Sequence, residues 1–147
     1  MYYPLFIDFS DKTVLVFGGG SVGARRTKYL LDAGAKVTVV SKEFSEELKA
    51  SGATLVAAEA EEHLGDIREA FLVIAATDDP DANETITRAA LEAGVLVCCA
   101  DDHTKGDVVF PMTALVCGHT LAYTTFGENP KLLHKVKRRI EDEFARK

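Results

Sequence analysis

Apolar residues fall in strand-length runs along this chain, and most runs are followed by a stretch whose apolar positions recur every three or four residues. Thr13–Phe17 is β-rich and apolar; after a glycine interruption, Val22, Tyr29, Leu30 and Ala33 sit near helical spacing from Ser21 onward, and Gly34 closes that helix. Residues 36–40 read as the next strand, 43–50 as a short helix ending at Gly52, Thr54–Ala57 as a third strand and 70–76 as a fourth. Asp79 and Pro80 start another helix, the carboxylate placed to accept backbone N–H groups and the proline in the first turn, where its missing donor costs nothing. That helix runs to Ala93, Gly94 ends it, and residues 95–99 form a fifth strand. Strands alternating with helices need crossovers, and right-handed crossovers build a parallel, doubly wound α/β sheet with helices on both faces. The expected strand order is 3-2-1-4-5.

After Ala100 the pattern changes. Residues 108–110, 113–116 and 120–125 read as short strands, with Cys117, Gly118 and His119 able to turn between the last two. Asn129 and Pro130 then start one long helix whose apolar stripe is Leu133, Val136, Ile140 and Phe144. The chain thus divides into a part of alternating strands and helices, 1–112, and a strand-plus-helix part, 113–147. A terminal amphipathic helix of this length must cover something, and the sheet already has its helices, so a second subunit is expected and the tail is read as a dimerisation segment.

Composition and charge narrow the function classes. With 47% apolar and 27% charged residues the chain falls in the ordinary soluble range. No run approaches the roughly 18 apolar residues of a membrane helix, and the first residues lack a basic start and a signal core, so a cytoplasmic protein without a membrane partner is expected. The net charge of −6 argues against nucleic-acid binding, yet residues 131–147 hold seven Lys or Arg against three acids, so one end can meet an anion. Three cysteines make no disulfide framework, since the count is odd and neighbours in a strand point to opposite faces. Cys98, Cys99, His103, Cys117 and His119 show no recognised ligand spacing, and no stable structural metal is expected.

Gly18, Gly20 and Gly23 give G-x-G-x-x-G between the first strand and the first helix. The first glycine permits a tight turn, the second lets the backbone approach a diphosphate, and the third lets helix and strand pack closely. The helix start at Ser21, Val22 and Gly23 supplies unsatisfied N–H groups and a positive dipole end. At the end of the second strand, where a carboxylate commonly binds the ribose, stand Ser41, Lys42 and Glu43, which leaves NAD and NADP both open. Beyond the fourth strand, Thr77 and Asp78 are expected to face the nicotinamide half, and Asn83 is read with them as a cofactor-binding residue; beyond the fifth, Asp101, Asp102 and His103 offer protonatable groups where a substrate would lie, although spacing alone favours solvated turn acids.

Four blocks in order, YPLFIDFSDKTVLVFGGGSVGARRTKYLLDAGAKVTVVSKEF at 3–44, LVIAATDDPDAN at 72–83, CADDHTKGDVVFP at 99–111 and HTLAYTTFGENPKLLHKVKRRIEDEF at 119–144, closely resemble the precorrin-2 dehydrogenase / sirohydrochlorin ferrochelatase family, the N-terminal module of siroheme synthases. The resemblance implies a Rossmann-like, homodimeric enzyme that oxidises precorrin-2 to sirohydrochlorin with NAD, and in many members also inserts ferrous iron. It implies that Asp101 is the family's essential aspartate, a general base and a transient partner in chelation, the register being fixed by Phe110 and Pro111. It places the family's small-residue segment on Thr124, Thr125, Gly127 and Pro130, from which Phe126 and Asn129 depart, and its helix cations on Arg25 and Arg26. Precorrin-2 carries eight carboxylates, so Arg25, Arg26 and Lys131 are read as substrate-binding cations. The family continues into a helical C-terminal domain without counterpart in these residues, so dehydrogenation is expected and iron insertion stays open. The competing reading is a non-catalytic dinucleotide-sensing or tetrapyrrole-binding module.

Overall fold

The computed structural model describes residues 2–126 and 128–144. Gly127, expected to touch substrate, lies outside the described residues. The chain divides into two compact units, Met1–Val108 and Val109–Lys147.

The first unit holds five parallel strands, β1 (Thr13–Phe17), β2 (Lys36–Ser41), β3 (Thr54–Ala57), β4 (Leu72–Ala75) and β5 (Leu96–Cys99), in the order β3-β2-β1-β4-β5. The crossovers are α1 (Ser21–Asp32), α2 (Glu46–Lys49), a 3-10 helix at Ala60–Glu69 and α3 (Pro80–Ala93). This is the doubly wound Rossmann-like sheet that the alternation predicts. β1 is central because it is buried on both faces: Val14, Val16 and Phe17 are 0% exposed. Pleating sends Leu15 and Phe17, with Val73, Ala75 and Val97, to one face, where Ile86 and Ala90 of α3 and Ile67 of the 3-10 helix close over them. Val14 and Val16 turn to the opposite face, where α1 buries Gly23, Ala24, Thr27 and Leu30.

Several boundaries differ from the periodicity, each for a local reason. Residues 108–110 form no strand; Asp107 and Val108 N–H both donate to the Val97 carbonyl, at 2.8 and 3.0 Å, so the segment hangs on the edge of β5 through one acceptor and builds no ladder. The helix expected at 43–50 is confined to α2, because the Ser45 N–H is taken by the Gly19 carbonyl at 3.0 Å while the Ser45 hydroxyl caps the Leu48 N–H. The 3-10 helix has no counterpart in the expected elements. Its start is fixed by a reciprocal pair: the Glu59 carboxylate accepts from the Glu62 N–H, and Glu62 accepts from the Glu59 N–H. α3 begins as expected, with the Asp79 carboxylate accepting from the Asp81 and Ala82 N–H groups, and ends at Gly94 in the left-handed region, φ 71°.

The second unit is an antiparallel hairpin, β6 (Met112–Val116) and β7 (His119–Tyr123), followed by α4 (Pro130–Phe144). β7 stops short of residue 125 because the Thr124 and Thr125 hydroxyls accept from the Phe126 and Asn129 N–H groups, turning the chain toward α4.

Phe17 is the largest side chain fully enclosed between sheet and helices. Phe17→Ala should lower the unfolding free energy by about 3–5 kcal/mol, read from urea denaturation followed by circular dichroism.

Candidate functional site

The carboxyl ends of β1, β2 and β4 open into a cleft of about 610 Å³ lined by Gly18, Gly19, Gly20, Ser41, Lys42, Thr77 and Asp78, among others. Three backbone contacts shape it. Gly18 has φ +114°, and a Cβ there would collide with the Ala76 carbonyl; one on Gly23 would strike the Gly18 carbonyl. Gly19, which the motif reading passes over, leaves no room either, since a Cβ would meet the Glu43 carbonyl, with Ser41 Oγ at 2.9 Å. The Gly18 N–H donates to the Val40 carbonyl at 3.0 Å, so the turn is stitched to β2.

Gly20 differs from its neighbours. It caps α1 without any side-chain acceptor, and a Cβ on it would project into open space. α1 has no acid in its first turn, whereas α2, the 3-10 helix and α3 each carry a side-chain cap and first-turn acids. The amide end of α1 is thus left for an external anion, with nothing projecting from Gly20 to obstruct its approach. These residues fit the diphosphate of a dinucleotide: amides of Ser21, Val22 and Gly23 at the helix start, and a glycine where the backbone must be bare.

At the far end of the cleft, Ser41 lies beside Ala57 in the sheet register. Glu59 is two residues further on and joins Lys42 in an ion pair at 2.7 Å. The pair raises the lysine pKa, first through the hydrogen bond and charge of Glu59 and then through Glu61. Glu43 and Glu61 also line this end.

On the other side of β1, Asn83 is 2% exposed and spends all its hydrogen-bonding capacity. Its Oδ1 accepts from the Thr77 N–H at 2.9 Å and the Thr77 hydroxyl at 2.8 Å. Its Nδ2 donates to the Thr77 carbonyl at 3.1 Å and to Asp101 Oδ2 at 3.2 Å. Thr77 lines the cleft while Asn83 stands behind it, so the asparagine couples the cleft wall to the loop after β5.

Asp101 is exposed, with Oδ1 accepting from the Cys99 thiol at 2.8 Å. Burial by its surroundings raises its pKa, but the hydrogen bonds from Cys99, Asn83 and two backbone N–H groups outweigh that and leave it below the ordinary carboxylate value. The same contact works in reverse on Cys99, whose pKa is raised by burial and then by the carboxylate it serves. Asp102 is engaged otherwise: its Oδ1 accepts from the Thr104 N–H at 3.0 Å and hydroxyl at 2.6 Å, closing the turn. Lys105 ties this loop to Glu84 of α3 at 2.6 Å, and the Tyr2 hydroxyl donates to the His103 carbonyl at 2.6 Å.

Of the expected substrate cations, Arg25 is exposed on α1 and Arg26 is half-buried, its pKa lowered first by burial and raised in part by nearby Cys98. Lys131 is exposed on α4; Thr124 and Thr125 are occupied as turn acceptors. Cys98 and Cys99 are buried and Cys117 is exposed. Among the described residues no three His, Cys, Asp or Glu side chains gather as a metal set, and no helix is long and apolar enough to cross a membrane.

Asn83→Leu keeps the volume but strands the Thr77 N–H and carbonyl, so it should cost about 1–3 kcal/mol for each group left unpaired, measured by denaturant titration against wild type.

A family described as putative NAD(P)-binding matches residues 5–112. Siroheme synthase of Actinobacillus succinogenes is 36% identical over 143 residues, and that of Mannheimia succiniciproducens 32% identical over 142; each alignment covers 95% of this chain and 30% of the relative. The chain therefore spans about 30% of the length of these curated relatives. Among solved structures, one titled SirC, precorrin-2 dehydrogenase, superposes with a TM-score of 0.79 at 26% identity, covering 97% of this chain and 71% of the other. That family's description points to a nicotinamide dinucleotide, and the bare amide end of α1 fits the diphosphate of one. The chain belongs to the putative NAD(P)-binding family, and along nearly its whole length it is similar to part of the siroheme synthases and to a precorrin-2 dehydrogenase.

Proposed function

We propose that this chain is a precorrin-2 dehydrogenase, oxidising precorrin-2 to sirohydrochlorin with NAD in siroheme biosynthesis. The observation that carries the reading is likeness along nearly the whole chain, 97% of it at a TM-score of 0.79, to a solved precorrin-2 dehydrogenase. The likeness takes in the hairpin and α4 as well as the dinucleotide fold, which a nucleotide site alone would not require.

In this reading the N–H groups at Gly20, Ser21, Val22 and Gly23 hold the diphosphate, with Gly18 shaping the turn, while Ser41 and Lys42 stand at the ribose end and Thr77 and Asp78 at the nicotinamide end. When bound, the nicotinamide ring supplies the hydride acceptor. Removing two hydrogens from the macrocycle releases a hydride and a proton, and Asp101 takes the proton on its carboxylate. Asn83 and Cys99 aim that carboxylate, so it waits ionised and fixed. The resemblance assigns macrocycle contacts to Arg25, Arg26, Thr124, Thr125 and Gly127, and the eight carboxylates of precorrin-2 add Lys131 of the basic tail.

NAD is favoured over NADP by the carboxylates of Glu43, Glu59 and Glu61 around Lys42 in the cleft lining. The expected homodimer is supported by apolar groups left in solvent on the second unit: Leu115 is 75% exposed, Leu132 45% and Phe144 42%. A second copy of the chain would cover those groups.

Four measurements test the reading. Anaerobic incubation with precorrin-2 and NAD should release NADH; no NADH from protein that binds NAD would leave the non-catalytic module as the better account. Asp101→Asn should cut kcat by about 10²–10⁴-fold, the usual contribution of a general base, while dinucleotide affinity stays near wild type. Because the hydrogen bonds to Asp101 outweigh its burial and hold its pKa below the ordinary aspartate value, the carboxylate is ionised at neutral and mildly acidic pH. Its contribution to turnover should therefore be full at neutral pH and be lost only below about pH 4. Sedimentation should show a dimer at micromolar concentration, and a monomer would contradict the role given to α4.

A further inference from the structure

The Lys42–Glu59 pair stands at the end of the cleft where a ribose would lie, and it was formed from residues 17 positions apart, so no motif at the end of β2 announces it. Resting on the reading of the cleft as a nicotinamide dinucleotide site, we propose that Glu59, by occupying Lys42, makes this chain select the dinucleotide that lacks a 2′-phosphate.

Three observations place Glu59 in that role. First, the fold brings it there. Ser41 and Ala57 are partners in the β2–β3 register, and the Ala58 N–H donates to the Ser41 carbonyl at 3.3 Å, so the chain leaves β3 alongside the end of β2. Secondly, its carboxylate is held. It accepts from the Glu62 N–H at the start of the 3-10 helix and from Lys42 Nζ at 2.7 Å, which restrains the side chain on the cleft rim. Thirdly, Lys42 is the one Lys or Arg among the described residues that line the cleft, whereas Glu43, Glu59 and Glu61 all line the same end.

The chemistry of discrimination follows from that count. A 2′-phosphate adds roughly −1.5 to −2 charge and needs cations with unused donors. Here it would meet three carboxylates and an ammonium already engaged. A 2′-hydroxyl adds no charge and can donate to a carboxylate, so the same surroundings accept it. The residue that would hold the phosphate is present in the sequence, and its partner from the next crossover takes it out of use. Both side chains are more than half exposed, 71% for Lys42 and 52% for Glu59, so the effect is screened by salt.

Binding of NAD and NADP to the intact protein, followed by calorimetry without any tetrapyrrole, tests this directly. Wild type should bind NAD more tightly than NADP. Glu59→Gln should lower the NADP-to-NAD ratio of dissociation constants by about two- to fivefold at low salt, the scale of one exposed charge pair, and by less at high salt. Adding Lys42→Ala to Glu59→Gln should return the ratio toward wild type, because the cation that Glu59→Gln releases is then gone. Circular dichroism of each variant guards against loss of the 3-10 helix cap. An unchanged ratio in folded Glu59→Gln, or a ratio that Lys42→Ala fails to restore, overturns the proposal and leaves the dinucleotide site standing. Failure of wild type to bind either nucleotide overturns both.

Discussion

The structure depends on a backbone contact that no side chain can enter. The turn after β1 runs so close to the Ala76 carbonyl on one side and the Glu43 carbonyl on the other that Gly18 and Gly19 have no room for a Cβ, and Gly23 packs α1 onto the Gly18 carbonyl in the same way. These approaches bring together the ends of β1, β2 and β4, the three central strands where the crossovers reverse direction. They also aim the start of α1 into the resulting crevice. Fold and site are one constraint here: whatever keeps the strands in register also keeps the amide end of α1 uncapped at the cleft.

An acidic cleft that receives an anion needs explaining, and α1 explains it. Among the described residues the lining offers Lys42 alone as a Lys or Arg and has Glu43, Glu59, Glu61, Asp78 and Asp79 around it. Attraction by side-chain charge therefore cannot be the main source of affinity for a diphosphate. Main-chain N–H groups can be, since they carry the helix dipole, need no counter-ion and are already in place before binding. The acids then serve to refuse anions that arrive elsewhere in the crevice. Attraction is concentrated on one short stretch of backbone and repulsion on its surroundings, which fixes where a dinucleotide can lie.

Much of this was legible in the sequence, and the misses share a cause. The five strands and their order followed from apolar runs and capping residues, since β1, β4 and α3 announce themselves through local signals such as Val14–Phe17 burial and the Asp79–Pro80 start. The 3-10 helix did not, because only Leu64 and Ile67 among its central positions are large and apolar, and the Glu59–Glu62 reciprocal cap was its one local mark. Gly19 escaped because its neighbour is Glu43, brought in by the β2 crossover. Glu59 escaped for the same reason. Asp101 and Asp102 could not be told apart by spacing; the hydrogen bonds separate them, one carboxylate turned to Asn83 and Cys99 and the other consumed by Thr104. Local signals were readable, and contacts made across crossovers were not.

Asn83 shows why such a contact matters for chemistry. An amide buried with all four of its hydrogen bonds made cannot shift without leaving a polar atom stranded, so Thr77 and Asp101 are held at a fixed separation by one residue. Thr77 belongs to the wall of the dinucleotide cleft and Asp101 to the loop beyond β5. A base that removes a proton while a hydride leaves the same substrate must hold its position relative to the hydride acceptor, and a single rigid amide meets that requirement better than two loops positioned independently. The Cys99 thiol completes the support from below, donating to the carboxylate while burial keeps its own proton in place. The donors that hold Asp101 are themselves neutral, so under the proposed reaction its charge stays available to a proton from the substrate.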